Sequence, residues 1–180
     1  MLTDEQIKTN RNEIIRLLTS TKRKGVGSVL EYLDSSGFFE APSSIDRHHN
    51  WRGGLAQHSL GVCNIAIEFG RELPLDSVII AGLLHDICKA AKLYYDENNV
   101  IRRKNTHIKG HGYRSAKRLE ICGLELTEKE RLAIRWHMGG HHATSTEQQE
   151  VIRARQDKLW EVIHRADQLD ASGRYKGKGI

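Results

Sequence analysis

The helical spacing of its apolar residues is the feature that most constrains this chain. Only two prolines, Pro42 and Pro74, interrupt the 180 residues, and proline is the residue that most disrupts a helix interior. Apolar residues recur three or four positions apart in seven stretches. These predicted helices cover about residues 4–20, 26–36, 55–70, 77–89, 111–123, 127–138 and 147–171. No pair of strands joined by a hairpin turn is predicted, so the pattern indicates an all-α fold.

Short polar residues mark where several of these helices are expected to begin. Asp4 can cap the first helix, and Asp76 or Ser77 can cap the fourth, because their side chains accept hydrogen bonds from unpaired backbone N–H groups. Thr127 and Glu130 have the spacing of a capping box, in which each side chain bonds to the backbone of the other. Segments 38–54 and 96–110 are predicted to be loops.

The length of the chain is that of one ordinary domain. We expect the helices of residues 1–37 to pack on a main bundle formed by residues 38–172, followed by a basic tail at 173–180. No apolar stretch approaches the roughly 18 residues of a membrane span, and acidic residues follow Met1 where a signal peptide would carry basic ones. The sequence therefore predicts a single-domain helical bundle in the cytoplasm, with no membrane partner.

Charge and cysteine content narrow the choice of partners. Lysine and arginine number 28 against 23 acidic residues, a formal charge of +5, which mildly favours anionic partners such as phosphates. Cys63, Cys88 and Cys122 form no C-x-x-C pair and are odd in number. They are therefore expected to be buried free thiols rather than a disulfide framework.

Histidines and carboxylates in apolar surroundings carry the chemistry. His85 and Asp86 are adjacent in an otherwise apolar stretch, where an ionised carboxylate is costly unless it is paired or bound to a metal. His58 lies within the apolar third helix, and Asp167 lies on the apolar stripe of the last one. All four side chains are expected to point inward. Two imidazoles and two carboxylates suit Mn, Fe, Zn, Co or, less readily, Mg.

Two further histidines could extend this cluster to a second cation. His111 stands at a predicted helix start, and His137 stands near the end of the next helix. With Asp86 as a bridge, two cations would lie about 3.5–4 Å apart, and such a pair can activate a water and neutralise an oxyanion.

The order of these residues resembles that of a known family. His58, His85-Asp86, His111, His137 and Asp167 follow the H…HD…H…H…D pattern of HD-domain metal-dependent phosphohydrolases, in the subset with two metals. Residues 49–55 read HNWRGGL, residues 83–89 read LLHDICK and residues 166–171 read ADQLDA, and these phrases strengthen the similarity. It covers about residues 38–171 and implies a helical bundle of the HD-domain type.

The resemblance also implies a role for each residue. The first divalent cation would be held by His58, His85, Asp86 and Asp167, and the second by Asp86, His111 and His137. Lys89 is four residues after His85, hence on the same face of the predicted helix, and the corresponding lysine of related phosphodiesterases contacts substrate phosphate. Asp86 and Lys89 are therefore the expected catalytic residues.

Some positions stay open. Certain relatives ligate through a double histidine that follows a helix, so His141 or His142 could replace His137 as a ligand. His141 could instead bind substrate or donate a proton to the leaving group. Arg52 is a further candidate for phosphate binding. Asp170, three residues after Asp167, could orient a water or a ligand imidazole.

The leading hypothesis is hydrolysis of a phosphate ester of a nucleotide or short oligonucleotide by a metal-activated water. One alternative is a mixed-valent diiron oxygenase, because some relatives use the same six ligands to hold two irons. A second alternative is a nucleotide-binding protein without turnover. The basic segments 22–24 and 102–104 could follow an oligonucleotide backbone or form solvated surface charge.

Overall fold

The protein was analysed as a computed structural model, which describes residues 2–90, 92–98, 100–103, 110–141 and 143–173. Eight α-helices and two short strands occur in these ranges. They are α1 Asp4–Ser20, α2 Val26–Ser35, α3 Gly54–Phe69, α4 Leu75–Leu84, β1 Leu93–Tyr95, β2 Ile101–Arg103, α5 His111–Ile121, α6 Glu128–Trp136, α7 Gln148–Arg155 and α8 Lys158–Ser172. The predicted all-α class is confirmed, since the sheet contains only these two strands.

The core is built around α3, α4 and α8, and these helices position most of the candidate site. Helix α4 is apolar on nearly all sides and buries every residue from Val78 to Leu84, as expected for a helix enclosed by others. Helix α3 packs on both α4 and α8, and α6 packs on α8 and α5. Close packing of α3 on α4 requires a glycine, because a Cβ atom at Gly82 would lie 2.9 Å from the Cα atom of Cys63.

Helix starts agree only in part with the sequence analysis. The Thr127–Glu130 capping box of α6 is present as predicted. Helix α1 is capped by Thr3, whose side chain accepts from the backbone N–H of Gln6, so the predicted cap at Asp4 is wrong by one residue. Helix α4 begins at Leu75 directly after Pro74 and has no side-chain cap, so the predicted cap at Asp76 or Ser77 is wrong and both residues lie within the helix. The fixed backbone angle of proline favours a helix start without one.

The segment after α4 contains a β-hairpin, although no hairpin was predicted. Strand β2 lies within the segment 96–110 that was predicted to be a loop. Strands β1 and β2 pair antiparallel, with Leu93 opposite Arg103. Between them, the Asp96 carboxylate accepts hydrogen bonds from the backbone N–H groups of Asn98 and Val100 and from the Arg102 side chain. Such bonds let an aspartate close a turn on its own. Each strand has only three residues and no alternation of apolar and polar side chains, so the sequence pattern did not predict them.

The last predicted helix is divided into α7 and α8. Helix α7 ends at Arg155, and Asp157 adopts an extended conformation as the N-cap of α8. Its Oδ1 atom accepts from the backbone N–H of Leu159 at 2.9 Å. An aspartate at an N-cap is stabilised by such a bond, and it ends the continuous helix that apolar spacing alone predicts.

The N-terminal helices pack on this core. Helix α1 contacts α3 and α4, and Arg23, after α1, forms an ion pair of 2.8 Å with the buried Glu130 of α6. Residues 174–180 of the predicted basic tail, as well as Lys104, lie outside the described residues. Of the helices described, none combines the length and the apolarity needed to cross a lipid bilayer.

Candidate metal centre

The His85-Asp86 pair lies where α4 ends, not within a longer helix as predicted. His85 keeps helical angles, whereas Asp86 has φ −113° and ψ 13° and interrupts the helix before a 3-10 turn at Ile87–Lys89. The expectation that Lys89 follows His85 on one continuous helix face is therefore wrong. This turn directs the two adjacent side chains to the same centre and brings the Lys89 Nζ atom to 2.5 Å from Asp86 Oδ2.

One side of the centre is formed by His58 of α3, His85 and Asp167 of α8. The Nε2 atoms of the two histidines are 3.3 Å apart. Asp167 Oδ1 lies 3.2 Å from His58 Nε2 and 3.8 Å from His85 Nε2. Asp86 Oδ2 lies 3.8 Å from His58 Nε2 and 3.4 Å from His85 Nε2. Four predicted ligands from three segments thus converge on one point.

The other side of the centre is formed by His111, at the start of α5, and His137, directly after α6. Their Nε2 atoms are 3.2 Å apart. Asp86 Oδ1 lies 3.5 Å from His111 Nε2 and 3.6 Å from His137 Nε2. The two oxygens of Asp86 therefore face two different pairs of histidines.

Hydrogen bonds at the far side of the rings orient them. The Nδ1 atom of His85 lies 2.9 Å from the Gly82 carbonyl oxygen, and that of His137 lies 2.7 Å from the Ile134 carbonyl oxygen. A carbonyl oxygen can only accept, so both Nδ1 atoms donate. In the neutral rings the lone pair is then on Nε2 and points into the centre. Metal-binding histidines are held in this way.

Several observations fit the residues to divalent cations. Asp86 Oδ1 is buried and has no hydrogen-bond partner, although a buried carboxylate oxygen without a partner is costly. Ligands about 2.1 Å from one ion lie about 3.0–3.4 Å from each other, close to the separations of the paired Nε2 atoms. The trios His58, His85, Asp167 and His85, Asp86, His137 each bring one ligand atom within 4.8 Å of the others. A cation at each of these positions would be the partner that the nitrogen and carboxylate ligand atoms require.

Burial and neighbouring charges set the protonation states of three of the candidate ligands. Burial raises the pKa of the Asp86 carboxyl, but Lys89, His85 and His111 outweigh it and hold the pKa well below its ordinary value. Burial lowers the pKa of His58, but hydrogen bonds to Asp167 and Asp170 outweigh it and raise the pKa to about 9. Burial lowers the pKa of His137 to about 3. Asp86 is thus ionised and His137 is neutral, which are the forms that bind metals, whereas a cation at His58 would have to displace the second proton of that ring.

Asp170 supports His58 from behind. Its Oδ2 atom lies 2.6 Å from His58 Nδ1 and 2.9 Å from His49 Nε2. Burial raises the pKa of Asp170, but the bonds to His49 and His58 outweigh it and lower the pKa to about 2. These three residues also lie close enough to hold an ion. A hydrogen-bonded triad explains them better, because one imidazole does not bind a cation through Nδ1 while its Nε2 serves the centre.

Sequence reasoning had assigned His48 and His49 to a loop and missed this contact. They lie in the segment between α2 and α3, which is held by the bond from Ser43 N–H to the His49 carbonyl oxygen. The His48 ring lies 5.0 Å from the His58 ring. Burial lowers the pKa of His48 to about 4. The signal in the sequence was the double histidine, which is separated by three residues from Gly53, the N-cap of α3.

Arg52 and His141, the two other predicted substrate contacts, are not part of the cluster of candidate ligands. The guanidinium of Arg52 pairs with Asp4 and Glu40, so two carboxylates already balance the charge that was expected to bind phosphate. His141 is exposed in the segment after α6, beside a neighbouring cavity, and it does not join the cluster of Nε2 atoms. His142 lies outside the described residues. The Nδ1 atom of His164 donates to the His137 carbonyl oxygen.

Cys88 connects the two sides of the centre. Its thiol donates to the His111 carbonyl oxygen at 3.2 Å, and its backbone N–H donates to the Ser115 hydroxyl at 3.3 Å. Burial raises the pKa of the thiol to about 11, so it stays protonated as a donor. Through these two bonds Cys88 fixes the start of α5 against the turn that follows α4.

A cavity of about 810 Å³ opens over the centre. Asp86, Lys89, His111, His137 and Asp167 form its floor, while polar residues of segment 43–48 and the end of α8 form its rim. A volume of this size accepts a small organic molecule. The candidate ligands are therefore accessible to a substrate from one side.

Similarity to known proteins assigns this chain to a family. The HD domain family matches residues 55–172, so this chain belongs to the HD domain family, whose members bind divalent metals. The chain is 27% identical over 182 residues to a dihydroneopterin 2',3'-cyclic phosphate phosphodiesterase of Methanocaldococcus jannaschii. That similarity covers 93% of this chain and 66% of the length of the relative. No solved structure shows a significant match.

Proposed function

We propose that this protein is a metal-dependent phosphohydrolase that cleaves a phosphodiester of a nucleotide-like small molecule. The observation that carries the proposal is the position of Asp86 between two pairs of histidines, with one buried oxygen toward each pair. Such an arrangement suits two neighbouring cations that share one carboxylate. Family membership and the phosphodiesterase relative support the same reaction class.

The proposed ligands follow the two sides of the centre. The first cation would be held by His58, His85, Asp86 and Asp167, and the second by Asp86, His111 and His137. Nitrogen and oxygen ligands in this mixture suit Mn, Fe, Co, Zn or Mg. When bound, the cations would lower the pKa of a water and neutralise charge on the phosphoryl oxygens.

Lys89 is the proposed cationic contact of the substrate. It lies in the cavity floor, and its Nζ atom is 2.5 Å from Asp86 Oδ2. Burial lowers the pKa of Lys89, but Asp86 and Asp167 outweigh it and raise the pKa above its ordinary value. The ammonium therefore stays charged at neutral pH and can stabilise the negative charge that develops on phosphate oxygens.

Asp170 and His49 are proposed to position His58 rather than touch the substrate. The Asp170 carboxylate accepts a hydrogen bond from the Nδ1–H group of His58, so the Nε2 atom is the one directed at the centre. His49 holds the same carboxylate from the other side. A ring fixed in this way presents its lone pair without rotating.

The proposed substrate class rests on the cavity and on the relative. The relative acts on a 2',3'-cyclic phosphate, and the cavity over the centre combines the Lys89 ammonium with polar groups at its rim. The formal charge of +5 favours an anionic substrate. A phosphorylated small molecule therefore fits this site. A short oligonucleotide contains the same phosphodiester group and is the second candidate substrate.

The test is a panel of phosphate esters on protein reconstituted in turn with Mn, Fe, Co, Mg and Zn. The panel contains nucleoside 2',3'-cyclic phosphates, linear dinucleotides and nucleoside monophosphates, under air-free and aerobic conditions. We expect turnover of the diesters without oxygen and none in the Asp86→Asn variant. Oxygen-dependent turnover would favour a diiron oxygenase instead. Silence across the whole panel would contradict the proposed function.

A further inference from the structure

A second cavity adjoins the one over the metal centre, between the start of α5 and the segment after α6. We call it the side cavity. Its volume is about 700 Å³, within the range of about 300–1,000 Å³ typical of small-molecule sites. His111 and Met138 line both cavities. The two cavities therefore adjoin at these two residues.

The surface of the side cavity is largely apolar. Tyr113 and Met138 line it and are 51% and 55% exposed, so both side chains are accessible to a ligand. The guanidinium carbon of Arg135 lies 5.0 Å from the Tyr113 ring centroid and 4.9 Å from that of Trp136. Aromatic rings and guanidinium planes are the surfaces on which planar heterocycles stack.

The charges of the side cavity disfavour a phosphate. Arg135 is paired with Glu147 at 2.6 Å and with Glu150 at 3.0 Å, so its positive charge is balanced. The Glu147 carboxylate itself lines the cavity. Lys89 and several proposed cation ligands line the other cavity, on the other side of His111. The side cavity is thus suited to the uncharged part of a phosphate ester.

The deep wall of this cavity is held in place before any ligand binds. Trp136 packs with Leu132, Val151 and Ala154 in a small separate core. Gly140 has φ +77°, and a Cβ atom there would lie 2.8 Å from Val151 Cγ1. The Trp160 indole donates to the Trp136 carbonyl oxygen at 2.8 Å. A rigid wall loses little conformational entropy on binding.

We propose that the side cavity binds the planar, uncharged heterocyclic ring of the substrate, with Tyr113 and Met138 as its contacts. This inference rests on the proposed function, because it assumes that the phosphate of the same molecule lies at the metal centre. It adds a specificity site: the ring selects the substrate, and the centre acts on its phosphate.

The first experiment measures ring binding without phosphate or turnover. Guanosine is titrated into the full-length protein, with and without added Mn²⁺, by calorimetry and saturation-transfer NMR. We expect Tyr113→Ala to weaken guanosine binding about tenfold, the loss of one stacking contact. Tyr94→Ala is the control, because Tyr94 is an exposed tyrosine of β1 that lines neither cavity. Circular dichroism checks that each variant is folded.

The second experiment compares two substrates. For a guanosine 2',3'-cyclic phosphate we expect Tyr113→Ala and Met138→Ala to raise KM about tenfold with little change in kcat. For glycerol 1,2-cyclic phosphate, which has no ring, we expect no change in KM. Equal effects on the two substrates would overturn the inference.

The two experiments separate the inference from the proposed function. Guanosine binding that depends on Tyr113 in a protein that hydrolyses no ester would support the site and contradict the proposed function. Ester hydrolysis with no guanosine binding, or with binding that Tyr113→Ala leaves unchanged, would overturn the side-cavity site alone. Self-association that Tyr113→Ala abolishes, without any guanosine binding, would also overturn it.

Discussion

Gly61 and Asp170 approach each other so closely that a Cβ atom at position 61 would lie 1.9 Å from Asp170 Oδ1. Helix α3 can carry His58 against α8 only because this position has no side chain. The same carboxylate bonds to His58 and His49 through its other oxygen. The position of a histidine at the centre therefore depends on a glycine one turn away from it.

Gly61→Ala is expected to displace the Asp170 carboxylate and to weaken metal binding about 10- to 100-fold, the usual effect of losing a bond that orients a ligand. Calorimetric titration with Mn²⁺ measures it. Gly27→Ala is the control, since Gly27 lies in α2 with nothing within 4 Å of its Cβ position. Unchanged metal affinity in folded Gly61→Ala protein would show that Asp170 does not position His58.

Asp86→Asn is expected to remove metal binding and phosphodiester turnover together. The amide keeps the shape of the carboxylate but loses the negative charge that the two proposed cation sites share. Elemental analysis and the ester panel measure the two losses. In the unsubstituted protein a cation at 100 times its dissociation constant should add about 2.7 kcal/mol to the free energy of unfolding. Thermal denaturation of Asp86→Asn should not respond to metal. Full activity in this variant would refute the bridging role.

Lys89→Met is expected to lower kcat about 100-fold while metal content stays the same, because the variant loses charge stabilisation at the phosphate but keeps every proposed ligand. Arg52→Met is the matched control. Its guanidinium pairs with Asp4 and Glu40 on the surface, so we expect no change in kcat or KM. A loss of metal in Lys89→Met would mean that Lys89 holds the Asp86 carboxylate in position instead of binding the substrate.

Arg23→Met is expected to lower the free energy of unfolding by about 3 kcal/mol at pH 7, because it leaves the buried Glu130 carboxylate without its cation. Burial raises the pKa of Glu130, but Arg23 and Ser77 outweigh it and hold the pKa below its ordinary value of 4.5. A lowered folded pKa adds stability above that value and loses it as the pH falls.

The difference between Arg23→Met and the unsubstituted protein should therefore be largest near neutral pH and shrink below about pH 4.5. Urea denaturation at several pH values measures it. Arg16→Met is the control, because the Arg16–Glu13 pair is exposed on α1 and solvent screens it, so its loss should change the free energy of unfolding far less. A pH-independent difference would mean that Arg23 acts through packing alone.

Residues within regular helices were the ones that sequence could place. His58 and Asp167 lie on apolar helix faces, and a period of 3.6 residues directs such side chains inward. The structure brings both to the centre, together with His111 and His137. His137 directly follows α6, whereas His141 lies beyond two glycines with positive φ. The preference for His137 over His141 followed from that helical context.

Residues whose position depends on a break in regular structure were not predictable in the same way. Asp86 leaves helical geometry directly after His85, although its neighbours in sequence are as apolar as those within α4. His49 reaches Asp170 from a loop and has φ +50°, a conformation that no periodic pattern encodes. The cap at Asp157, by contrast, could have been recognised from an aspartate placed just before an apolar repeat.

Two glycines set the separation of the helices that carry the centre. Gly82 allows α4 to approach Cys63 of α3, and Gly61 allows Asp170 of α8 to approach the other side of α3. The distances between His58, His85 and Asp167 therefore depend on backbone separations at positions remote from any ligand atom. We expect the preference of this protein for a smaller or larger cation to be adjustable by substitutions at these two spacer positions, with every coordinating side chain unchanged.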